Sequence, residues 1–312
     1  MSELETFIPQ SSDRLGALFG RLDPAFEQVW RTHLSRLITR PGLDQRSRFL
    51  VLTAQYTVSK MPDQLEETIV AGIDAGVPAS DMLEVIFQCY VYTGPWVVAA
   101  GCEAFERALA ARPDAVNDLT AHIADPSTRN LDDERQTWGG NDQADPRIER
   151  LLETFGWHGF STGLRLRPGH HINLVDTLDA LDPDFGKAWL DSVYEGMYSR
   201  RVLSDRDRLL AVVGATLSIG ETHQSRRHMR AAVRAGATPK ELLEVIIHTT
   251  SIFGHPHLMP AALDDLIRIA DDEGKLDELV APDRQEGILK IVAARVSRRS
   301  GIQDDISDAV NS

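Results

Sequence analysis

Five of the ten histidines fall between Arg206 and Met259: His223, His228, His248, His255 and His257. Within that stretch Glu221, Gln224 and His228 stand at i, i+3 and i+7, which is one face of a helix at roughly 100° per residue. A carboxylate, an amide and an imidazole on one stripe can take up, orient and return a proton. Glu221 falls in the first turn, where the helix dipole favours the ionised acid, while His223 points away from the shared face. The bland alternative makes Glu221 a favourable first-turn acid and His228 a satisfied, half-buried histidine. His255 and His257 flank Pro256 and are placed to approach the His228 face. Histidine is the commonest metal ligand, yet these five show no clear HxxxH or two-histidine-one-carboxylate spacing. No metal or other cofactor is expected.

Three helices must position these groups. Leu209, Leu210, Val212, Val213 and Leu217 recur at helical spacing from Asp205 to Ser218, and Gly220 interrupts the pattern. The second helix runs from Glu221 to Ala235 and stops at Gly236, a usual residue just past a helix end. The third opens with Thr238 as N-cap, Pro239 in the first turn and Glu241 completing a Thr-x-x-Glu capping box.

The 312 residues carry a net charge of −14 and an apolar fraction of 42%. That balance argues for a soluble, acidic protein without a nucleic-acid surface. No apolar run reaches the ~18 residues of a membrane span, and the start, MSELETFIPQ, lacks the basic and apolar regions of a signal peptide. Cys89 and Cys102 form neither a CxxC nor a metal spacing, so a reducing, cytoplasmic setting is expected.

The chain repeats itself. Leu22-Asp-Pro-Ala-Phe26 returns as Leu181-Asp-Pro-Asp-Phe185, and Trp30 as Trp189, at an offset of 159 (189 − 30). One inserted residue then changes the offset to 160, at which Gly76 matches Gly236 and Gly94 matches Gly254. Residues 69–86 and 229–246 share 7 of 18 identities, where chance gives about one. The expected organisation is a first repeat over 1–111, a connection over 112–148, a second repeat over 149–281, and a C-terminal helix and tail over 282–312. Both repeats read as helical, because alternation is never sustained. Helices are expected at Leu15–Phe19, Phe26–Ile38, Gln45–Val58, Gln64–Ala75, Ser80–Tyr92 and Trp96–Ala110, with a further one at Arg284–Val296. Residues 154–171 are expected to form an ordered or lid-like loop.

In order along the chain come an R-x-R-L helix, a polar helix ending H-x-x-A-x-x-A-G, then T-x-x-E-L-x-E-V and G-x-P. This pattern resembles the carboxymuconolactone decarboxylase and alkylhydroperoxidase D superfamily. It covers 206–262 closely and 46–110 more loosely. The resemblance implies an all-α fold of two tandem helical-bundle repeats related by a pseudo-two-fold. It also implies a homo-oligomer, with a trimer preferred because three duplicated chains supply six repeats. The thiol-bearing branch places Cys-x-x-Cys-x-x-x-His where this chain has Glu221, Gln224 and His228. Without thiolate nucleophiles, thiol peroxidase activity is not expected. The matching residues of the first repeat are Met61, Gln64 and Thr68, so that repeat reads as degenerate.

The function expected is a cofactor-independent acid–base enzyme, a carboxy-lyase similar to carboxymuconolactone decarboxylase. Its substrate would be small and carboxylated or lactone-like. His228, Glu221, His255 and His257 are the catalytic candidates. Gln224, Arg208, Tyr92 and Trp96 are the substrate-binding candidates, the arginine for a carboxylate and the aromatics as a wall from the first repeat. Arg206, Arg226 and Arg227 are further candidates for the carboxylate. The alternatives are a non-catalytic binding or scaffold protein on the same fold, or a hydrolase or isomerase using the same site.

Overall fold

The computed structural model of the chain describes residues 7, 9–38, 40–123, 145–156, 160, 163–164, 168–198, 200 and 202–310. Its elements are helical and no strand occurs among the described residues. The first half contains α1 (Pro9–Leu22), α2 (Pro24–Ile38), α3 (Gln45–Val58), α4 (Pro62–Asp74), α5 (Ala79–Gln88), the short α6 (Tyr90–Thr93) and α7 (Pro95–Ala111). A 3-10 turn and α8 (Val116–Ile123) follow, then α9 (Arg147–Phe155), α10 (Pro168–Leu181) and α11 (Pro183–Leu190). After a π-helical segment, Asp191–Tyr198, come α12 (Asp205–Ser218), α13 (Thr222–Arg234), α14 (Pro239–Ser251), α15 (Met259–Asp272) and α16 (Pro282–Val310).

Two departures from the sequence reading concern elements. The end of the stretch expected as a lid-like loop is the first turn of α10, with His170 and His171 inside it; much of the remainder lies outside the described residues. The last helix continues past Val296 to Val310.

Helices α3 and α12 form the centre. Each is buried on all sides over most of its length, which is why neither shows an amphipathic stripe. Gly214 allows them to meet, since a Cβ there would stand 3.1 Å from Val51 Cγ1 and 3.3 Å from Gln55 Cγ. One apolar core gathers Leu43 and Val51 with second-half residues, and the other gathers Leu203, Ala211 and Ala215 with first-half residues. Trp30 and Trp189, matched in the sequence repeat, are both half-buried, each packed against the core of its own half.

Polar cross-links join the halves in pairs separated by 160 in number. Arg48 donates to His248 Nε2 at 2.5 Å and to the Arg40 carbonyl at 2.6 Å. Arg208 donates to Gln88 Oε1 at 2.7 Å and to the Arg200 carbonyl at 2.6 Å. Arg40 grips Glu244 at 2.9 Å and Arg200 grips Glu84 at 2.8 Å. Each residue of one set has its counterpart in the other: 40 and 200, 48 and 208, 84 and 244, 88 and 248.

The change of offset from 159 to 160 in the sequence falls where the two stretches differ in helix type. In the first half Pro24–Ile38 is a continuous α-helix of 15 residues. Its counterpart spans 16, residues 183–198, as eight α-helical residues followed by eight in the π-helical segment. A π-helix accommodates an extra residue by widening the turn, and such turns recur at functional sites. This one carries Tyr194 and Tyr198, both buried.

Candidate active site

Helix α13 begins after a turn at Gly220, whose φ of +81° suits glycine. Its inward stripe is Ser225, His228, Met229 and Ala232, at the i, i+3, i+4, i+7 spacing of a core-facing helix. Ser225 Oγ meets Thr216 Oγ1 of α12 at 2.9 Å, fixing the rotation of α13. His228, on the same stripe, has 0% of its surface exposed.

Two phenols converge on that imidazole from opposite halves. Tyr92 Oη, from α6, lies 3.0 Å from His228 Nε2. Tyr198 Oη, at the end of the π-helical segment, makes a short hydrogen bond to Tyr92 Oη. The Tyr198 ring lies nearly parallel to His228 at 6.5 Å and 12°, and Tyr92 meets it edge-on at 5.6 Å. Tyr194 stacks on Tyr198 at 5.5 Å, and buried His171 of α10 packs on Tyr194 at 4.5 Å. One residue away on both helices, His170 Nε2 meets Arg227 Nη1 at 3.3 Å. Either hydroxyl can be the donor in the Tyr92–Tyr198 bond, and the His228 bond depends on its tautomer; with Nδ1 carrying the proton, the bonds run as one chain from Tyr198 to Tyr92 to His228.

The other sequence candidates are placed elsewhere. Glu221 precedes α13 at the N-cap position, with non-helical ψ of 69°, and is exposed. A residue outside the helix does not follow its 100° phasing, so Glu221 is not on the stripe of His228; its charge acts on His223. Gln224 is half-buried one turn before His228. His255 caps a 3-10 turn, Pro256–Leu258, that contains His257; their rings are 5.9 Å apart, the first residue half-buried and the second exposed. Arg208 is 1% exposed and holds Glu84, Gln88 and the Arg200 carbonyl, so it is committed to the inter-half cross-link rather than to a substrate carboxylate. Trp96 is 86% exposed. Of the second-half and first-half candidates, the structure brings together His228 and Tyr92 and adds Tyr198, Tyr194 and His171. The latter three gave no motif; the only signal pointing to them was the one-residue shift in repeat register.

Electrostatics separate the histidines. Burial, then Arg48 and Arg40, push His248 down to about 3, so it accepts the Arg48 bond as a neutral imidazole. Arg227 lowers His223, followed by partial burial and Arg226. Burial pushes the Cys89 thiol up to about 12, and Cys102 is raised as well, by burial and then Glu106 and Glu103. Neither is poised as a thiolate. No group of three or more histidine, cysteine or acidic side chains among the described residues is arranged to hold a metal ion.

Residues 183–264 match the model of the carboxymuconolactone decarboxylase family. This segment belongs to that superfamily. It contains Tyr194, Tyr198, Arg208 and His228, whereas Tyr92 lies outside it, in the first half. Comparison with curated proteins gives no match. No helix among the described residues is long and apolar enough to cross a membrane.

Proposed function

We propose that the chain is a cofactor-independent acid–base enzyme, a carboxy-lyase acting on a small carboxylated or lactone-like substrate, with His228 as its proton carrier. The observation that carries this reading is asymmetry at equivalent positions. The 160-residue offset sets His228, Tyr198 and Tyr92 against Thr68, Ile38 and Ile252. The first set forms a hydrogen-bonded chain; Thr68 bonds the Phe7 carbonyl at 3.2 Å, and isoleucines have no proton to move. A purely structural demand on two related repeats would not introduce three titratable groups on one side alone. The duplication itself, with boundaries at 1–111, 112–148, 149–281 and 282–312, is part of the proposal, and the paired cross-links support it. Arg227, half-buried beside His170 and next in sequence to His228, is the cation assigned to receive a carboxylate.

The test is turnover of carboxymuconolactone, followed by carbon dioxide release, in His228→Gln and Thr68→Ala. Losing a positioned acid–base group costs ~10²–10⁴ in rate. His228→Gln is expected to lose that much, while Thr68→Ala keeps activity. Equal damage by both at equal stability refutes the assignment to the second half. Full activity in His228→Gln refutes the role of His228. The second reading, a non-catalytic binding protein, draws on the complete burial of His228, and predicts no turnover by the wild type.

We also propose a homo-oligomer, a trimer in preference to a dimer. Exposed Leu22, Phe26 and Val29 in one half and Leu181 and Phe185 in the other support it. The two free cysteines support a reducing, cytoplasmic setting.

A further inference from the structure

We propose that Tyr92 is the catalytic group that exchanges a proton with the substrate, with His228 as the proton store behind it and Tyr198 as a positioning residue. The proposal rests on the acid–base reading above and changes which atom meets the substrate. Burial decides the order. His228 is 0% exposed and Tyr198 2%, while Tyr92 is half-buried, the one member of the hydrogen-bonded three with a solvent-facing side. The partly exposed member of the three is the one assigned to meet the substrate.

The bonding directions allow the transfer. Tyr92 Oη takes a proton from the substrate as its own O–H bond breaks toward His228 Nε2, 3.0 Å away. One X–H bond of the substrate is lost, one O–H is exchanged, one N–H forms, and neutral imidazole becomes imidazolium. The reverse passage delivers that proton to the carbanion or enolate left as carbon dioxide departs, which returns the imidazole to its neutral form for the next turnover. With the bonds running in that direction Tyr198 donates to the same phenolic oxygen, so it holds the Tyr92 hydroxyl on the line to Nε2 and stabilises negative charge that develops there. Tyr198 itself is fixed by stacking between His228 and Tyr194. The supply of Tyr92 by the first half gives that half a role although its own equivalent position holds Thr68. Catalysis then requires both repeats in one chain.

Two readouts on the full-length protein test this. Diethyl pyrocarbonate, with mass-spectrometric site assignment, needs no substrate. His228 is expected to react far more slowly than exposed His257 in the wild type, and faster in Tyr92→Ala. Equal rates for His228 and His257 in the wild type overturn the proposal, since His228 would then be open to direct approach. Kinetics with carboxymuconolactone supply the second readout. Tyr92→Phe keeps the ring and is expected to lose ~10²–10⁴ in kcat with KM nearly unchanged. Tyr198→Phe is expected to lose less and to shift the pH profile of kcat, which a purely structural residue would not do. Wild-type kcat in Tyr92→Phe with an inactive His228→Gln overturns the role of Tyr92 and leaves that of His228 standing. Full turnover in both overturns the acid–base reading itself.

Discussion

His248 and Gln88 occupy equivalent positions and make the same bond, each accepting from the buried arginine of the other half. They differ in that one titrates. The folded pKa of His248, about 3, lies below the ordinary histidine value. A group depressed in this way contributes stability that is complete above about pH 6.5 and is lost as the pH falls toward its folded pKa. Through that window one proton changes stability by about 1.4 kcal/mol per pH unit. His248→Gln copies the first-half solution and keeps an acceptor for Arg48. Its denaturant midpoint is expected to fall less steeply between pH 6.5 and 4 than that of the wild type. Parallel midpoints across that range would show that His248 does not govern acid lability.

Two features at the scale of elements bear on stability and turnover. The Arg208–Glu84 pair, both 1% exposed, ties α12 to α5. Removing one partner of a buried pair strands the other charge and costs ~3–5 kcal/mol. Glu84→Ala is therefore expected to lower the urea midpoint substantially, while exposed Lys290→Ala, which breaks a surface pair with Glu286, changes it little. The second element is the π-helical segment. Gly196 within it is exposed, and a Cβ added there would meet only the Asp191 carbonyl oxygen, at 3.2 Å. Deleting Gly196 is expected to restore the α-helical register of α2 and turn Tyr198 away from Tyr92. Turnover should then fall at least as far as in Tyr198→Phe, and an unchanged kcat would separate the π-helix from function.

For the whole molecule, the repeated Leu-Asp-Pro-x-Phe motif leaves Leu22 76%, Phe26 51%, Leu181 78% and Phe185 56% exposed. Burying such residues between chains contributes roughly 1.5–3 kcal/mol apiece. Light scattering of the wild type is expected to give a trimer. The double variant Phe26→Asp/Phe185→Asp should dissociate without unfolding. A wild-type monomer at micromolar concentration would refute the assembly.

Local rules made much of this readable before the fold was known. Repetition at a fixed offset and the absence of sustained alternation implied helices throughout, and the boundaries of α3, the Thr238 capping box and the turn at Gly236 follow from nearest-neighbour backbone chemistry. His228 stood out from its spacing to Glu221 and Gln224 and from the H-x-x-A-x-x-A-G pattern. Glu221 did not hold its expected place, since the period applies only inside the helix and Glu221 lies just before it. Arg208 read as a free cation because burial and distant partners, Glu84 and Gln88, are invisible to spacing. Tyr198 was beyond reach for the same reason: its contact with Tyr92 spans 106 positions and depends on how the halves dock. Periodicity along the chain determined which helices exist. Packing across the chain decided which side chains meet, because a hydrogen bond between halves has no local signature.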